Sequence, residues 1–189
     1  MKSNHINIDK SLFEIGIGTM LGDGYAEKRG LKTRLTWHHG PLQKEYLAWK
    51  CDQFKAVKLS SGILTKTSTG YLGRTFSSVP LCWFRYTFYP LGTKIVPLNI
   101  ADYLSPLAFA IWIMDDGSND RGSLRLHTES FNLAEKNLLL AALNTKWGIE
   151  GEVIKQGRYS IIRFYKSSMP KIRSIISPFL LPYFTYKVV

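Results

Sequence analysis

Two copies of one pattern lie along this chain, and their repetition restricts the fold more than any other feature of the sequence. Each copy is an apolar run, containing glycine or alanine, that ends on a carboxylate followed by glycine. The first occupies residues 16–24 and places its acid at Asp23, and the second occupies residues 109–117 and places its acid at Asp116. The repetition predicts a fold made of two related halves.

Two lysines keep the spacing of the two acids. The acids are 93 positions apart, and Lys94 and Lys187 are separated by the same number of positions. We therefore expect halves at residues 1–93 and 94–189, joined by a short apolar linker at about 90–102. The halves should pack as one body, and each should give one acid and one base to a shared centre.

The chain is strongly basic. Its 189 residues carry a net charge of +11, with a pI near 9.7, while a 45% apolar content supports folding around a core. A positive excess of this kind indicates a polyanionic partner, with nucleic acid favoured over a membrane surface. Because no apolar run reaches the roughly eighteen residues of a membrane span, we expect a soluble protein.

The sequence gives little information on the cellular compartment of the protein. Cys51 and Cys82 lack CxxC or Cys/His spacing, so both are expected to be reduced, buried thiols. Residues 1–10 lack the hydrophobic stretch of a secretory signal and are not a long Arg- and Ser-rich amphipath. Either the protein stays where it is made, or an import signal has been removed.

The first half begins with helix signals. Ser11 and Glu14 form a possible capping box for a helix that runs to Asp23 and stops at Gly24. In residues 31–38 the polar and apolar side chains then alternate with a period of two, which predicts a strand with one solvent-exposed, basic face. The other predicted elements of this half are a helix at residues 42–55 and strands at residues 63–66, 71–77 and 83–89.

The second half repeats this order of elements. Ser105 precedes a helix that ends at Asp116, and residues 123–128 alternate as a strand. Asn132 caps a further helix, which Gly148 terminates. The remaining predicted ranges are 133–147 for that helix, 152–155 and 159–165 for two strands, and 170–181 for a final helix.

Glycines mark the contact between the halves. Gly18 and Gly22 are four residues apart and share one helix face, where missing side chains let another helix come very close. If the second motif helix crosses there, Asp23 and Asp116 emerge side by side at helix C-termini, where the dipoles add partial negative charge. A divalent cation resolves that repulsion, and Mg²⁺ is the expected ion.

These residues resemble the LAGLIDADG homing endonucleases, in the single-chain form with two motif copies, and especially their mitochondrial omega-intron branch. The resemblance implies an α+β fold of two pseudo-symmetric αββαββα halves, packed through the motif helices, with antiparallel sheets forming a DNA-binding saddle. Ile111 stands where the first motif has Gly18, so the crossing is expected to be asymmetric or wider. The matching segments, which span nearly the whole chain, are residues 15–25, 94–97, 112–117 and 186–187.

The resemblance also implies roles for individual residues. The two acids would bind the metal, and the backbone carbonyls of Gly22 and Asp115 would complete its shell. Metal ions held by carboxylates supply what phosphodiester hydrolysis requires, and a lysine near each scissile phosphate would either stabilise developing charge or assist the attacking water. The implied catalytic residues are Asp23, Asp116, Lys94 and Lys187.

Base recognition is expected from the polar faces of the predicted strands. Arg and Lys bond guanine edges or phosphates, whereas His and Thr add smaller contacts in the major groove, which a twisted β ribbon enters. The histidines lack metal-ligand spacing, so no transition metal is expected. The candidate DNA-binding residues are Lys32, Arg34, His38, Arg85, Arg125 and His127.

The leading hypothesis is a monomeric, Mg²⁺-dependent endonuclease that cuts double-stranded DNA at a long specific site. The resemblance implies that a mobile intron of a mitochondrion or plastid encodes it and that it cuts the intron-free allele. Two alternatives stay open. One is a maturase that uses the same scaffold to bind its host intron RNA, and the other is a DNA-binding repressor with vestigial acids, which would bind independently of Mg²⁺. The presence of both acids favours the enzyme.

Overall fold

The structure, a computed structural model, describes residues 8–189 and contains the order αββαββα twice. Residues 1–7, which include most of the segment inspected for an import signal, lie outside the described part. The first half comprises α1 (Lys10–Leu21), β1 (Gly24–Arg29), β2 (Lys32–His39), α2 (Lys44–Ala56), β3 (Thr65–Lys66), β4 (Tyr71–Arg74) and α3 (Cys82–Phe88).

A short helix separates this half from its repeat. It is followed by the same sequence of elements, so the predicted αββαββα order is confirmed in both halves. The separating helix is α4 (Ile100–Tyr103), and the second half comprises α5 (Pro106–Asp116), β5 (Gly117–Asp120), β6 (Ser123–Leu126), α6 (Leu133–Trp147), β7 (Gly151–Gln156), β8 (Tyr159–Phe164) and α7 (Met169–Ile176).

Each half contains one antiparallel four-stranded sheet. The strand orders, β1-β2-β4-β3 and β5-β6-β8-β7, are equivalent in the two halves, which confirms the predicted α+β class. Burial alternates along β2 as the sequence predicts: Leu35 and Trp37 are buried, whereas Lys32 and His38 are exposed. The first sheet therefore keeps one face in the core and one polar face in solvent.

The halves meet where α1 crosses α5. A Cβ built at Gly18 would lie 2.6 Å from Ile111 Cβ, and one built at Gly22 would lie 2.5 Å from Asp115 Cβ. Gly18 on α1, and Gly22 directly after it, therefore each face a larger side chain on α5. The crossing is asymmetric in its side chains, and it is too close to be called wide.

The crossing helices are mostly buried, and buried side chains of both halves belong to a single hydrophobic cluster. This confirms that the halves pack as one body. Within residues 8–189, no helix combines the length and the apolar character needed to cross a bilayer. Cys51 and Cys82 are both buried free thiols, as expected.

The limits of α1 differ from the prediction. Asp9, and not Ser11, caps the helix, because its carboxylate accepts a hydrogen bond of 2.8 Å from the backbone N–H of Leu12. The helix ends at Leu21 instead of Asp23, and Gly22 closes it with a bond from its N–H to the Gly18 carbonyl.

The predicted strand at residues 83–89 is wrong, since this segment forms α3. Its aromatic residues favour a strand by propensity, but Phe84 and Phe88 are four apart and both buried, as on one helix face. The Phe84 ring packs against α1 at Gly16, where an added Cβ would lie 2.6 Å from its Cε1 atom. Tertiary packing therefore overrides the local preference.

Helix α6 agrees with its prediction, whereas the predicted C-terminal helix is longer than the observed one. α6 spans the predicted residues, with a capping box between Asn132 and Glu135 and a left-handed Gly148 at its end. The predicted final helix at residues 170–181, however, stops at Ile176, and a 3-10 helix at Pro182–Lys187 follows it.

Candidate functional site at the helix crossing

Three carboxylates gather at the C-terminal ends of α1 and α5. Asp115 packs against Gly22 through its Cβ, and ligand atoms of Asp23, His39 and Asp115 lie within 4.8 Å of one another. Asp116 ends α5 and is followed directly by β5, as Asp23 precedes β1. The helix crossing therefore brings both motif acids to one region.

The surroundings of both motif acids disfavour ionisation of their carboxyl groups. Burial raises the pKa of the Asp23 carboxyl, and the charge of Asp115 raises it further. Burial likewise raises the pKa of Asp116 well above its usual value, with the charges of Asp23 and Asp115 adding to the effect. Negative charge crowded in this way favours the binding of a cation.

The two lysines approach the two motif ends in the same manner. Lys94 Nζ donates to the carbonyls of Gly22, at 2.8 Å, and Gly24, at 3.0 Å. Lys187 Nζ donates to the carbonyls of Met114, at 2.6 Å, and Asp115, at 3.3 Å. The structure thus places one lysine beside the end of each motif helix.

Burial changes the titration of these lysines. It lowers the pKa of Lys94 and of Lys187 to about 8, although the nearby aspartates oppose the shift. Both ammonium groups are therefore charged at neutral pH but close enough to their pKa to release a proton in mildly alkaline solution.

The oxygen atoms at this centre suit a hard divalent cation. Carboxylates of Asp23 and Asp116, together with the carbonyls of Gly22 and Asp115, are the ligand type that Mg²⁺ prefers. Both carbonyls already accept hydrogen bonds from lysine ammonium groups, so this side of the site attracts positive charge. The donor set therefore fits the ion expected from the sequence.

A buried charge pair lies beneath the acids, and the sequence analysis missed it. Lys50 Nζ bonds both oxygens of the Asp115 carboxylate, at 2.6 and 2.8 Å, and the Tyr46 hydroxyl donates to one of them at 2.7 Å. Both charged side chains are fully buried. The sequence does contain one sign of this pair. The spacing of four residues places Lys50 on the same buried face of α2 as Tyr46 and Phe54.

His39 occupies the space between two of the carboxylates. Its Nδ1 lies 2.8 Å from Gln43 Oε1 and 3.4 Å from Asp23 Oδ2, and its Nε2 lies 3.8 Å from Asp115 Oδ1. Burial, followed by the charge of Lys50, lowers the pKa of His39 to about 4, so the ring is neutral at physiological pH. Its position at the end of β2, on the buried face, could have marked it.

Three of the candidate DNA-binding residues lie on the solvent-exposed face of β2. Lys32 and His38 are exposed, and the His38 ring contacts Thr67 Oγ1 at 2.8 Å. Arg34 lies between them, half-buried, and its Nε donates to Glu27 on the neighbouring strand at 2.9 Å.

The second sheet presents a comparable set. Arg125 lies on β6 and pairs with Asp120 at 2.6 Å, while His127 follows that strand and remains partly exposed. Arg163 was missed, although it stands directly opposite Arg125 on β8 and pairs with Glu152 at 2.6 Å. Its alternation with buried neighbours along β8 was the available signal.

Arg85 does not lie on a strand, in contrast to the prediction. It belongs to α3, and its guanidinium donates to the Ala26 carbonyl at 3.2 Å and lies over the Tyr89 ring, 4.7 Å from the centroid. The five other candidates lie on β2 or on and just after β6, whereas Arg85 is tied to the edge of the first sheet.

Comparison with known proteins places this geometry in context. Residues 13–172 match the model of the LAGLIDADG DNA endonuclease family. A relative named cytochrome b mRNA maturase bI2, from Debaryomyces hansenii, is 31% identical over 96% of this chain and 74% of its own length. A protein of the same name from Saccharomyces cerevisiae is 29% identical over all of this chain, which spans about half of that relative, 49%.

Solved structures share the fold. The homing endonuclease I-WcaI, bound to its DNA recognition sequence, superposes with a TM-score of 0.85 at 23% identity, covering 97% of this chain and 88% of its own. I-DmoI, in complex with DNA and Mn, superposes with a TM-score of 0.63 at 15% identity, covering 90% of this chain and 97% of its own.

Proposed function

The chain belongs to the LAGLIDADG DNA endonuclease family, and from this premise we propose that it is a site-specific homing endonuclease that cuts both strands of DNA with Mg²⁺. One observation carries the proposal: the end of each motif helix has an acid and a lysine of matched spacing, and all four lie around the helix crossing. A protein that used this fold only to bind nucleic acid would not require an acid and a lysine at the end of both motif helices.

The acids and lysines divide the chemistry between them. Asp23 and Asp116, with the carbonyls of Gly22 and Asp115, would hold the divalent ion. When bound, that ion supplies charge stabilisation and lowers the pKa of coordinated water. In the reaction a water oxygen forms a bond to phosphorus, the bond from phosphorus to the 3′ oxygen breaks, and a 5′ phosphate and a 3′ hydroxyl result.

The lysines act from beside the motif ends. Lys94 and Lys187 are charged at neutral pH because their pKa lies near 8, so each presents a positive group where negative charge develops on the phosphate oxygens. Substrate phosphates would take over donors that now bond backbone carbonyls.

The two sheets would hold the duplex on their polar faces. The acid-bound arginines of both sheets are restrained before DNA arrives, which lowers the entropy lost on binding bases. Because each half, residues 1–93 and 94–189, contributes one motif helix and one sheet, a single chain would serve both half-sites as a monomer. The proposed DNA-binding residues are Lys32, Arg34, His38, Arg125, His127 and, in addition to the sequence-based set, Arg163.

A second function rests on a specific finding. Two relatives are named cytochrome b mRNA maturases, so intron RNA is the alternative partner of the same basic surface. The names of both relatives, which refer to cytochrome b mRNA, also favour an organelle-encoded origin for this chain, in line with the expectation of a mitochondrial or plastid protein.

The test is cleavage of a randomised duplex library by the purified protein with Mg²⁺, followed by sequencing of the cut ends. We expect one long site to be enriched, and we expect Asp23→Asn and Asp116→Asn to bind that site without cutting it. Intact DNA together with stimulated splicing of an intron RNA would favour the maturase. Tight DNA binding that is indifferent to Mg²⁺, without cleavage by the wild type, would favour a repressor.

A further inference from the structure

The two motif acids have unlike surroundings. The Asp23 carboxylate, 40% exposed, faces the His39 ring, which is 1% exposed. At the corresponding end of β6, the His127 side chain is 39% exposed and its ring contacts Ser118 and Glu129, while only its backbone N–H bonds Asp116, at the carbonyl. Within residues 8–189, a buried histidine therefore adjoins Asp23 and none adjoins Asp116.

The orientation of the His39 ring is restrained from two sides. Nδ1 has its hydrogen bond with Gln43 Oε1, at 2.8 Å, and lies 3.4 Å from Asp23 Oδ2, so the Gln43 bond holds the ring against the Asp23 carboxylate. On the other side of the ring lies the Asp115 carboxylate, which Lys50 neutralises. The ring cannot turn without losing the Gln43 bond.

The pair of Asp115 and Lys50 belongs to both halves of the molecule. Lys50 projects from α2 of the first half, and Asp115 ends the motif helix of the second, where its Cβ covers Gly22. The pair therefore fixes α2, and the β2 end that carries His39, against the end of α1. Asp23 follows Gly22 directly and is held at the same junction.

We propose that His39, held by Gln43 and by the Asp115–Lys50 pair, is a positioning residue for Asp23 and not for Asp116, so that the two acids act unequally on the two DNA strands. The inference rests on the proposed endonuclease function. A half-exposed carboxylate loses orientation unless a neighbour holds it, and outer partners of this kind change activity on the order of 10- to 100-fold when removed.

The experiment is single-turnover cleavage of the selected target, with each strand labelled separately. His39→Phe keeps a planar ring but removes both nitrogens, and we expect it to slow one strand by on the order of 10- to 100-fold while the other stays near the wild-type rate. Nicked duplex would then accumulate. His39→Gln, which retains a donor, should recover much of the lost rate.

A matched control is available in α6. Lys136 is also buried, bonds Ser160 at 2.9 Å and lies in none of the contacts described around the acids. Lys136→Met should leave the ratio of the two strand rates unchanged, whereas the double variant Lys50→Met with Asp115→Asn, which removes both charges together, should shift that ratio in the direction of His39→Phe.

A readout independent of cutting completes the test. In the metal-free protein, we expect His39→Phe to move the carboxyl ¹³C NMR shift of Asp23 and to leave that of Asp116 in place. Equal slowing of both strands, or equal movement of both shifts, would overturn the inference while leaving the endonuclease intact. A wild type that cuts neither strand would instead contradict the proposed function, and the NMR comparison would still decide the role of His39.

Discussion

The two motif helices follow equivalent paths but meet each other with different surfaces. At the crossing α1 presents glycines, and α5 presents Ile111 and Asp115 opposite them. Only one partner of a close crossing needs to lack side chains, so the second copy is free to carry large ones. The comparison teaches that pseudo-symmetry here belongs to the backbone, while the side chains at the junction are complementary instead of repeated.

The largest expected effect tests this complementarity. Gly18→Val forces a side chain against Ile111 and the backbone of Ala108, so we expect no cooperative folding, or a loss above about 4 kcal/mol. Ile111→Ala should cost about 3 kcal/mol by leaving a cavity, yet still fold. Urea unfolding measures both. Equal and mild effects of the two changes would show that the crossing is looser than the structure has it.

The next effect concerns the buried lysines of the two halves. Lys50→Met leaves the Asp115 charge buried without its partner, which should cost about 3 to 5 kcal/mol. Lys136→Met loses a bond to a neutral hydroxyl and should cost about 1 kcal/mol. Thermal or urea unfolding would reveal the difference. Similar losses for the two variants would argue against a special electrostatic role for Lys50.

A smaller effect, of opposite sign, is expected at the acids. The folded protein raises the pKa of Asp116 above the unfolded value of 3.8, so it binds the proton more tightly than the unfolded chain does. Stability is therefore lost as pH rises from about 4 through the raised pKa. Because Asn carries no charge to bury, metal-free Asp116→Asn should be more stable than wild type at neutral pH, and the difference should disappear at about pH 4.

The control for that prediction is the metal itself. Mg²⁺ should raise the melting temperature of the wild type and have little effect on Asp116→Asn, because the ion binds the folded state through the acids. Asp23→Asn should gain less stability than Asp116→Asn, since the Asp23 side chain is 40% exposed. A wild type that is more stable at pH 7 than at pH 5 in EDTA, with the gain traced to Asp116, would contradict the account.

The smallest effects come from the helix caps, at which the halves are alike. Asp9 caps α1 and Ser105 caps α5, each accepting a bond from a backbone N–H three residues on. Replacement of either by alanine should cost about 1 kcal/mol, whereas Ser11→Ala should be close to neutral. Chemical denaturation of the three variants separates them, and a large loss in Ser11→Ala would restore the predicted capping box.

The sequence predicted those features that depend on repetition and on local signals. The doubled motif, the matched lysines and the ends of α6 are each marked by spacing or by capping residues. The prediction for residues 83–89 was wrong because aromatic side chains occur both in strands and in buried helices. Only the tertiary contact of Phe84 with Gly16 decides between the two. The strands after each motif acid were supplied by the family resemblance, since β1 and β5 consist mostly of polar residues and do not stand out as strands.

The buried polar cluster could not be derived in the same way. Lys50 and Asp115 are distant in sequence and come from different halves, so their pairing depends on how α2 packs beneath the helix crossing. The pattern of α2 marks Lys50 as a charge on an apolar face, but no local rule names its partner. Long-range electrostatic complementarity of this kind appears only when the fold is known.

The central claim is that both motif acids serve one cation-dependent centre. The most direct measurement is Mg²⁺-dependent cleavage of the selected duplex by wild type, Asp23→Asn and Asp116→Asn, with DNA affinity measured in parallel in Ca²⁺. The account predicts that the wild type linearises the target, and that both variants bind with similar affinity but do not cut. Full double-strand cleavage by either single variant would contradict it.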